Sequence, residues 1–505
     1  MTAIFNHYKP LRNYLRQIEL SEALSVIRAY VQHLQFNEQL PRDIEVAPYF
    51  LQAKDWLRKK VFPWELETIV REIIINSPRS DSILLPKSLK KWSCFSGAID
   101  KLKDLENNIS KLYPKRNILL EIYRIAHRQF PWQSQPNGIW LTRYYKILSH
   151  PKLDSIVQRV IGVNAKELYV LGLLLTGVYL KKFALFYPPD IQVLGINKKK
   201  LDGFLNHFSS DLESLKKDLI ESQEFNENYV YTFNPLKSYP LIKMQLHNKD
   251  ALISPIPTLL FWRFTEGVYY ELLNEKDFSN PFGESIQGYA GEVIKKAIPK
   301  NGFVIHSEKE YHIKKKRKDT IDWIVGDQEA ALFIETKAKK LRFEAKIEIT
   351  TTKAITEELN KMTEFVIQVY KTIQDYRNNF YPHYKFDQKR KIFPVILTLE
   401  DWYLFGDRLE NELNKKVLAK FDNYQLNKDW LKEMPYMICS MDDFERFIQI
   451  IASVGINKFM AKKLFDSEKR GWTLRSFMFS DFPEEMAKSK DLFEDIYNEI
   501  YPGIR

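Results

Sequence analysis

The sequence predicts a mixed α/β protein, with a helical region over 1–225, an α/β domain over 226–410 and a mostly helical end over 411–505. Three observations predict this class. Apolar residues recur at three- and four-residue steps through 11–221. Short apolar runs take over near residue 229. A helix, strand, strand, strand, helix, strand order then follows between 279 and 398, the order of a mixed sheet with helices on its faces. A chain of 505 residues is long enough for two or three domains.

Taken in order, the first region reads as all-α. It shows repeated helical stripes such as Ile118, Leu119, Ile122, Ile125 and Ala126, and proline breaks it often, for example at Pro41, Pro63, Pro114 and Pro151. No repeat of fixed period is visible, so a solenoid is not predicted. The polar segment 221–228 is the expected boundary. Beyond it, 229–233, 240–246 and 251–254 read as strands and 258–274 as a helix. The helix over 279–298 has Ser279 or Asn280 as its cap, Pro281 in its first turn, and Pro299 with Gly302 as its stop. Its apolar stripe is Ile286, Tyr289, Ala290, Val293, Ile294 and Ala297, with Gln287 on one flank and Glu292 on the other. An amphipathic helix is expected over 356–377, with Leu359, Met362, Val366, Val369 and Ile373 on one face, and a buried strand over 392–398. A strand at 436–439 and a helix at 441–452 lie in the helical end.

Composition narrows the function classes. Lys plus Arg number 76 against 65 Asp plus Glu, a formal charge of +11, which favours a polyanionic partner. Cys94 and Cys439 are the two cysteines, which excludes a disulfide framework or a cysteine zinc site and suits a reducing, cytoplasmic setting. The longest apolar run, 168–180, is broken by Gly172, Thr176 and Gly177 and is shorter than the roughly 20 residues that span a bilayer. It reads as a core helix, with no membrane partner. No GxxxxGK[ST], GxGxxG or GxSxG motif occurs.

The chemistry concentrates in 318–340, KDTIDWIVGDQEAALFIETKAKK. One strand carries a lone acid, Asp322, among Ile321, Trp323, Ile324 and Val325. The next carries Glu335 and Lys337, which leave the same side because strand side chains alternate. Charges at the end of an apolar hairpin need partners, since burying an unpaired charge is costly.

A helix with a flanking acid, a strand with Asp322 and a strand with Glu335-Thr336-Lys337 resemble the PD-(D/E)XK nuclease superfamily, the restriction-endonuclease-like fold, over about 280–400. The resemblance implies a metal-dependent endonuclease of bacterial restriction or anti-phage type. Its cofactor would be Mg²⁺, with Mn²⁺ able to substitute. Its partner would be nucleic acid, DNA before RNA. Asp322 and Glu335 would be ligands, Thr336 an auxiliary ligand through its carbonyl, and Lys337 the cation that orients water and stabilises charge on the phosphate. Two places depart from the family pattern. Ile321 stands where the name-giving proline would be. The helix register counted from Gly283 falls on Gln287, so Glu292 is carried as the third, metal-binding acid and Gln287 as its rival. An RNase of the same fold, or a nucleic-acid-binding scaffold with a decayed site, are the alternative readings. Double-strand cutting would suit a homodimer, and the region 1–225 is the expected partner-binding part.

Basic residues flank the proposed site. Lys314, Lys315, Lys316, Arg317 and Lys318 precede Asp322, and Lys339, Lys340 and Arg342 follow Lys337. They are expected to grip phosphates on either side of the cut. The downstream helix carries Gln368, Tyr370 and Tyr376, without the glutamine-to-tyrosine spacing of the RecB-like branch.

Overall fold

The structure, a computed structural model, describes residues 3–46, 56–79, 85–113, 118–133, 136–186, 196–338, 340, 352–403 and 407–500. The chain is mixed α/β and mostly helical, and its contacts gather it into two compact units. One comprises Met1–Asn137, Asp154–Lys276 and Tyr497–Arg505, the other Gly138–Leu153 and Asp277–Ile496.

The first unit is mostly helical but not all-α. A four-stranded sheet runs through Ala184–Phe186, Lys249–Ile253, Leu241–Leu246 and Ser209–Asp211, in that spatial order. The two strands missed from sequence are three residues each, too short to display a period. The run 168–180 lies in the helix Ala165–Lys181, capped by Asn164, and Leu168, Tyr169, Leu171, Leu175 and Tyr179 are fully buried. Among the described residues no single helix is long and apolar enough to cross a membrane. Residues 258–274 form two helices, Pro257–Phe264 and Val268–Leu272. They part where the Gly267 amide donates back to the Trp262 carbonyl.

The expected boundary at 221–228 is corrected to about 277, and 229–233 is a turn rather than a strand. Buried arginines claim the polar groups of this turn. The Arg71 guanidinium donates to the Tyr229 carbonyl at 3.2 Å and to Thr232 Oγ1 at 2.8 Å, and Arg124 donates to Asn228 Oδ1 at 2.7 Å. Each guanidinium also lies over a tyrosine ring, Tyr229 and Tyr231 respectively. A carbonyl bound in this way is not free for a ladder.

In the second unit we label α1 (Gly138–Leu148), α2 (Ser279–Ala297), β1 (Val304–Ser307), β2 (Glu310–Ile313), β3 (Lys316–Asp319), β4 (Trp323–Gly326), β5 (Ala330–Lys337), α3 (Thr352–Arg377), β6 (Lys391–Thr398), β7 (Met437–Ser440) and α4 (Met441–Val454). The sheet order is β7-β6-β5-β4-β1. The β1, β4 and β5 strands pair antiparallel, whereas β5, β6 and β7 run parallel. A separate hairpin joins β2 and β3. Residues after 411 therefore do not form a third region: they supply β7 and covering helices to this unit. The insertion carrying α1 belongs here too. Arg143 on α1 binds Glu445 through Nε at 2.7 Å and Asp442 through Nη2 at 2.7 Å, and Tyr289 donates to the same Glu445 at 2.7 Å.

Helices cover both faces of β5, which is why its first six residues are buried without alternation. On one face, a Cβ at Gly291 of α2 would lie 2.0 Å from Trp323 Cζ2, so the absence of a side chain there lets the indole rest on the helix. Trp323 Nε1 donates to the Gln287 carbonyl at 2.9 Å. On the other face Phe333 meets Tyr376 of α3 at 4.9 Å between ring centroids. The expected stripe of α3, from Leu359 to Ile373, is buried. Neither Ser279 nor Asn280 caps α2, since both lie inside its first turn. Pro281 is tolerated there because first-turn amides have no partner within the helix.

Candidate active site

Asp322 stands one step beyond the Trp323–Ile334 pair of the β4–β5 ladder, and the register sets it opposite Glu335. Asp322 itself lies just outside β4, and the Thr336 amide and hydroxyl hold its carboxylate at the Glu335 end of β5. Three backbone bonds hold that end in place. The Glu308 amide donates to the Asp322 carbonyl at 2.8 Å, Thr320 donates to the Lys309 carbonyl at 3.0 Å, and Ile321 donates to Tyr381 Oη at 3.0 Å. That last bond uses an N–H that a proline would lack.

Each acid has its own set of donors. Asp322 Oδ2 accepts the Thr336 amide at 2.7 Å and the Thr336 hydroxyl at 2.5 Å, while Oδ1 accepts Gln287 Nε2 at 3.1 Å. The same Gln287 nitrogen donates to Glu308 Oε2 at 3.0 Å, so one amide bridges two acids. Glu335 Oε1 accepts Lys337 Nζ at 2.8 Å and Gln368 Nε2 at 2.7 Å. Lys337 also donates to Gln368 Oε1 at 2.8 Å and lies over the Phe365 ring, so α3 fixes the lysine on two sides.

Asp322 is 9 % exposed and Glu335 5 %, and the cost of charging them is correspondingly high. Burial first, and then the facing Glu335, raise the Asp322 carboxyl above the ordinary range; the Thr336 bonds and Lys337 act the other way. Burial likewise raises Glu335, against the pull of Lys337. Glu308 is raised by burial and, further, by Asp322. Two buried carboxylates that repel one another make a donor set that a hard divalent cation would relieve. Among the described residues, no group of three His, Cys, Asp or Glu side chains is arranged to hold a metal ion.

No protein-family model, characterised protein or solved structure matches this chain. The chemistry of the site therefore rests on its own geometry.

That geometry brings Asp322, Glu335, Lys337, Gln287 and Thr336 together. Glu292 does not join them. Its carboxylate, half exposed, pairs with Lys146 of α1 at 2.6 Å. Five residues along a helix turn a side chain well away from the starting face, and with Trp323 seated on Gly291 it is the Gln287 flank that meets Asp322.

The basic residues divide. Lys314, Lys315 and Lys316 are exposed at the β2–β3 turn and the start of β3. Arg317 is engaged by Glu310 at 2.9 Å, and Lys318 by Asp375 at 2.5 Å, where the Tyr311 hydroxyl also donates. Lys340 is 3 % exposed, pairs with Glu400 at 3.0 Å and lies over the Tyr144 ring, so it is a core residue and not a phosphate contact. Lys339 and Arg342 lie outside the described residues.

Glu308 and Gln368 are the site residues that sequence reasoning did not assign. Glu308 follows β1 among ordinary surface charges, and Gln368 sits on the polar flank of an amphipathic helix. Neither position carries a sequence signature, because each reaches the acids only through packing of its element against the sheet.

Proposed function

We propose that this chain is a Mg²⁺-dependent nuclease of restriction-endonuclease-like fold that hydrolyses phosphodiester bonds of nucleic acid, DNA before RNA, in restriction or anti-phage defence. The observation that carries the reading is the opposition of Asp322 and Glu335 across β4 and β5, with Lys337 on the same face. Asp322 and Glu335 would hold the ion. A bound Mg²⁺ supplies polarisation of the scissile phosphate and a more acidic attacking water. Thr336 and Gln287 orient Asp322. Lys337, steadied by Gln368, offers positive charge for the pentavalent phosphate. The exposed lysines of the β2–β3 turn would contact the backbone of a polyanion.

A second reading, a nucleic-acid-binding protein with a decayed nuclease site, is favoured by one observation. The acid oxygens described above are already bound by Thr336, Gln287, Lys337 and Gln368, and the third acid of the set is replaced by Gln287. Incubation with plasmid DNA and with structured RNA, each with Mg²⁺ and with chelator, decides between them. Metal-dependent cutting that disappears in Asp322→Ala and Lys337→Ala supports the nuclease; binding without cutting by the wild type, retained in both variants, leaves the second reading. Cutting of RNA alone would assign the activity to an RNase.

A further inference from the structure

Beyond Asp322 the β1–β4 ladder continues as an arm. The Glu308 amide donates to the Asp322 carbonyl at 2.8 Å and the Thr320 amide to the Lys309 carbonyl at 3.0 Å, which joins that ladder to the β2–β3 hairpin. Among the described residues the hairpin pairs with no third strand. Lys316 is six residues from Asp322. At roughly 3.3 Å per residue the arm reaches up to about 20 Å past the acids.

Its two faces differ because strand side chains alternate. Tyr311 and Lys318 stand opposite each other, and both bind Asp375 of α3, the hydroxyl at 2.7 Å and the ammonium at 2.5 Å. Asp375 is buried, so this clasp fixes the direction of the arm against the helix. The pair His312 and Arg317 therefore faces the other way, with Glu310 and Asp319 on the same side nearer the root, and all four are exposed. Arg317 binds Glu310 at 2.9 Å and lies 3.8 Å from Asp319. Exposed pairs of this kind are weak and exchange partners readily. At the tip Lys314, Lys315 and Lys316 are exposed, and among the described residues no acid pairs with them. Lys314 has φ +56°, a left-handed conformation that glycine adopts more easily, so a cation is kept there against the backbone preference.

A partner must answer both signs along one narrow ribbon. Bare phosphates, or an anionic membrane surface, answer the lysines and Arg317 but are repelled by Glu310 and Asp319. A single strand calls for aromatic platforms, and the tyrosine of the arm, Tyr311, is buried. The deep, narrow major groove of an RNA duplex does not admit a ribbon, and the minor groove of DNA is only about 6 Å wide. The major groove of B-form DNA, about 12 Å wide, admits a two-stranded ribbon, and its base edges carry amino donors for the acids beside acceptors for Arg317 and His312. We propose that the β2–β3 hairpin lies in the major groove of duplex B-form DNA, with His312, Arg317, Glu310 and Asp319 at the base edges and the tip lysines on flanking phosphates. The proposal takes a nucleic-acid partner from the nuclease reading and adds its form and extent. At about 3.4 Å per base pair, the contacts run up to about six base pairs to one side of the scissile phosphate.

The test measures binding by the full chain with chelator present, so that it does not depend on cutting. Fluorescence anisotropy compares a mixed-sequence DNA duplex, the RNA duplex of the same sequence and the separate strands. The DNA duplex is expected to bind at least about tenfold more tightly than the others. Arg317→Ala and Lys315→Ala, both at exposed positions, should weaken duplex binding, the first by about fivefold or more. Methyl green, a major-groove ligand, should displace the chain, and netropsin, a minor-groove ligand, should not. The proposal is overturned if duplex RNA or a single strand binds as tightly as the DNA duplex, if both variants bind as well as the wild type, if netropsin displaces the chain and methyl green does not, or if phosphatidylserine vesicles compete on equal terms. Arg317-dependent duplex binding without cutting in Mg²⁺ supports the proposal and removes the nuclease reading; cutting in Mg²⁺ with duplex binding indifferent to both variants does the reverse.

Discussion

Replacing Asp322 with asparagine should stabilise the site-bearing unit above neutral pH while removing most of its response to Mg²⁺. The sign follows from the shift. Asp322 is raised to about 7 from an ordinary 3.8, so between those values the folded state holds a proton that the unfolded state has released, and stability falls as pH rises through that window. Each pH unit of separation costs the charged form about 1.4 kcal/mol, which sets a ceiling of about 4 kcal/mol above pH 8. Asparagine keeps one oxygen for the Thr336 pair but turns an NH₂ toward Gln287 Nε2, so the Gln287 amide must flip and give up its bond to Glu308. Allowing for weaker neutral bonds, the net gain is about 1–2 kcal/mol at pH 8. For a unit of this size that is roughly 2–8 °C in Tm. Thermal unfolding at pH 5 and pH 8, with and without Mg²⁺, checks it. The wild type should fall from pH 5 to pH 8 and recover about 1.4 kcal/mol in Mg²⁺ at tenfold Kd. The variant should fall less between the two pH values, since Glu335 and Glu308 stay raised by burial, and should lose most of the Mg²⁺ response. A variant less stable than wild type at pH 8 would refute the idea that this carboxylate is held against its own repulsion. An undiminished Mg²⁺ response would remove Asp322 from the ligand set.

Other perturbations probe separate parts of the molecule. Lys337→Met should lower cleavage by at least about a hundredfold while leaving the circular dichroism spectrum unchanged, measured on supercoiled plasmid. Gly291→Ala should destabilise the unit by about 3 kcal/mol or more in urea unfolding, because its Cβ would meet the rigid Trp323 indole at 2.0 Å. Arg143→Met leaves Glu445 and Asp442 without their shared guanidinium and should cost about 3–5 kcal/mol by the same measurement. Replacing Lys314, Lys315 and Lys316 together by alanine should reduce the salt dependence of DNA binding by about 0.9 in log–log slope for each phosphate that is no longer neutralised; an unchanged slope would take this turn out of the interface.

Local periodicity is enough to place Glu335 and Lys337 together on one strand with Asp322 just ahead of the strand before it, and to give the buried stripe of α3, but it reads three strands between α2 and α3 where the structure has five among the described residues, because the basic run that forms β3 carries no apolar alternation. These features depend on neighbours two to four residues away, so they are written in the chain itself. Which flank of α2 faces the acids is not. That depends on the rotation of the helix against the sheet, set by Trp323 lying on Gly291, and it selects Gln287 in place of Glu292. The same limit hides Glu308 and Gln368, the burial of Lys340 beside Glu400, and the attachment of α1 through Arg143 to Glu445. In each case the deciding interaction joins residues far apart in sequence, so only the packed tertiary structure selects it.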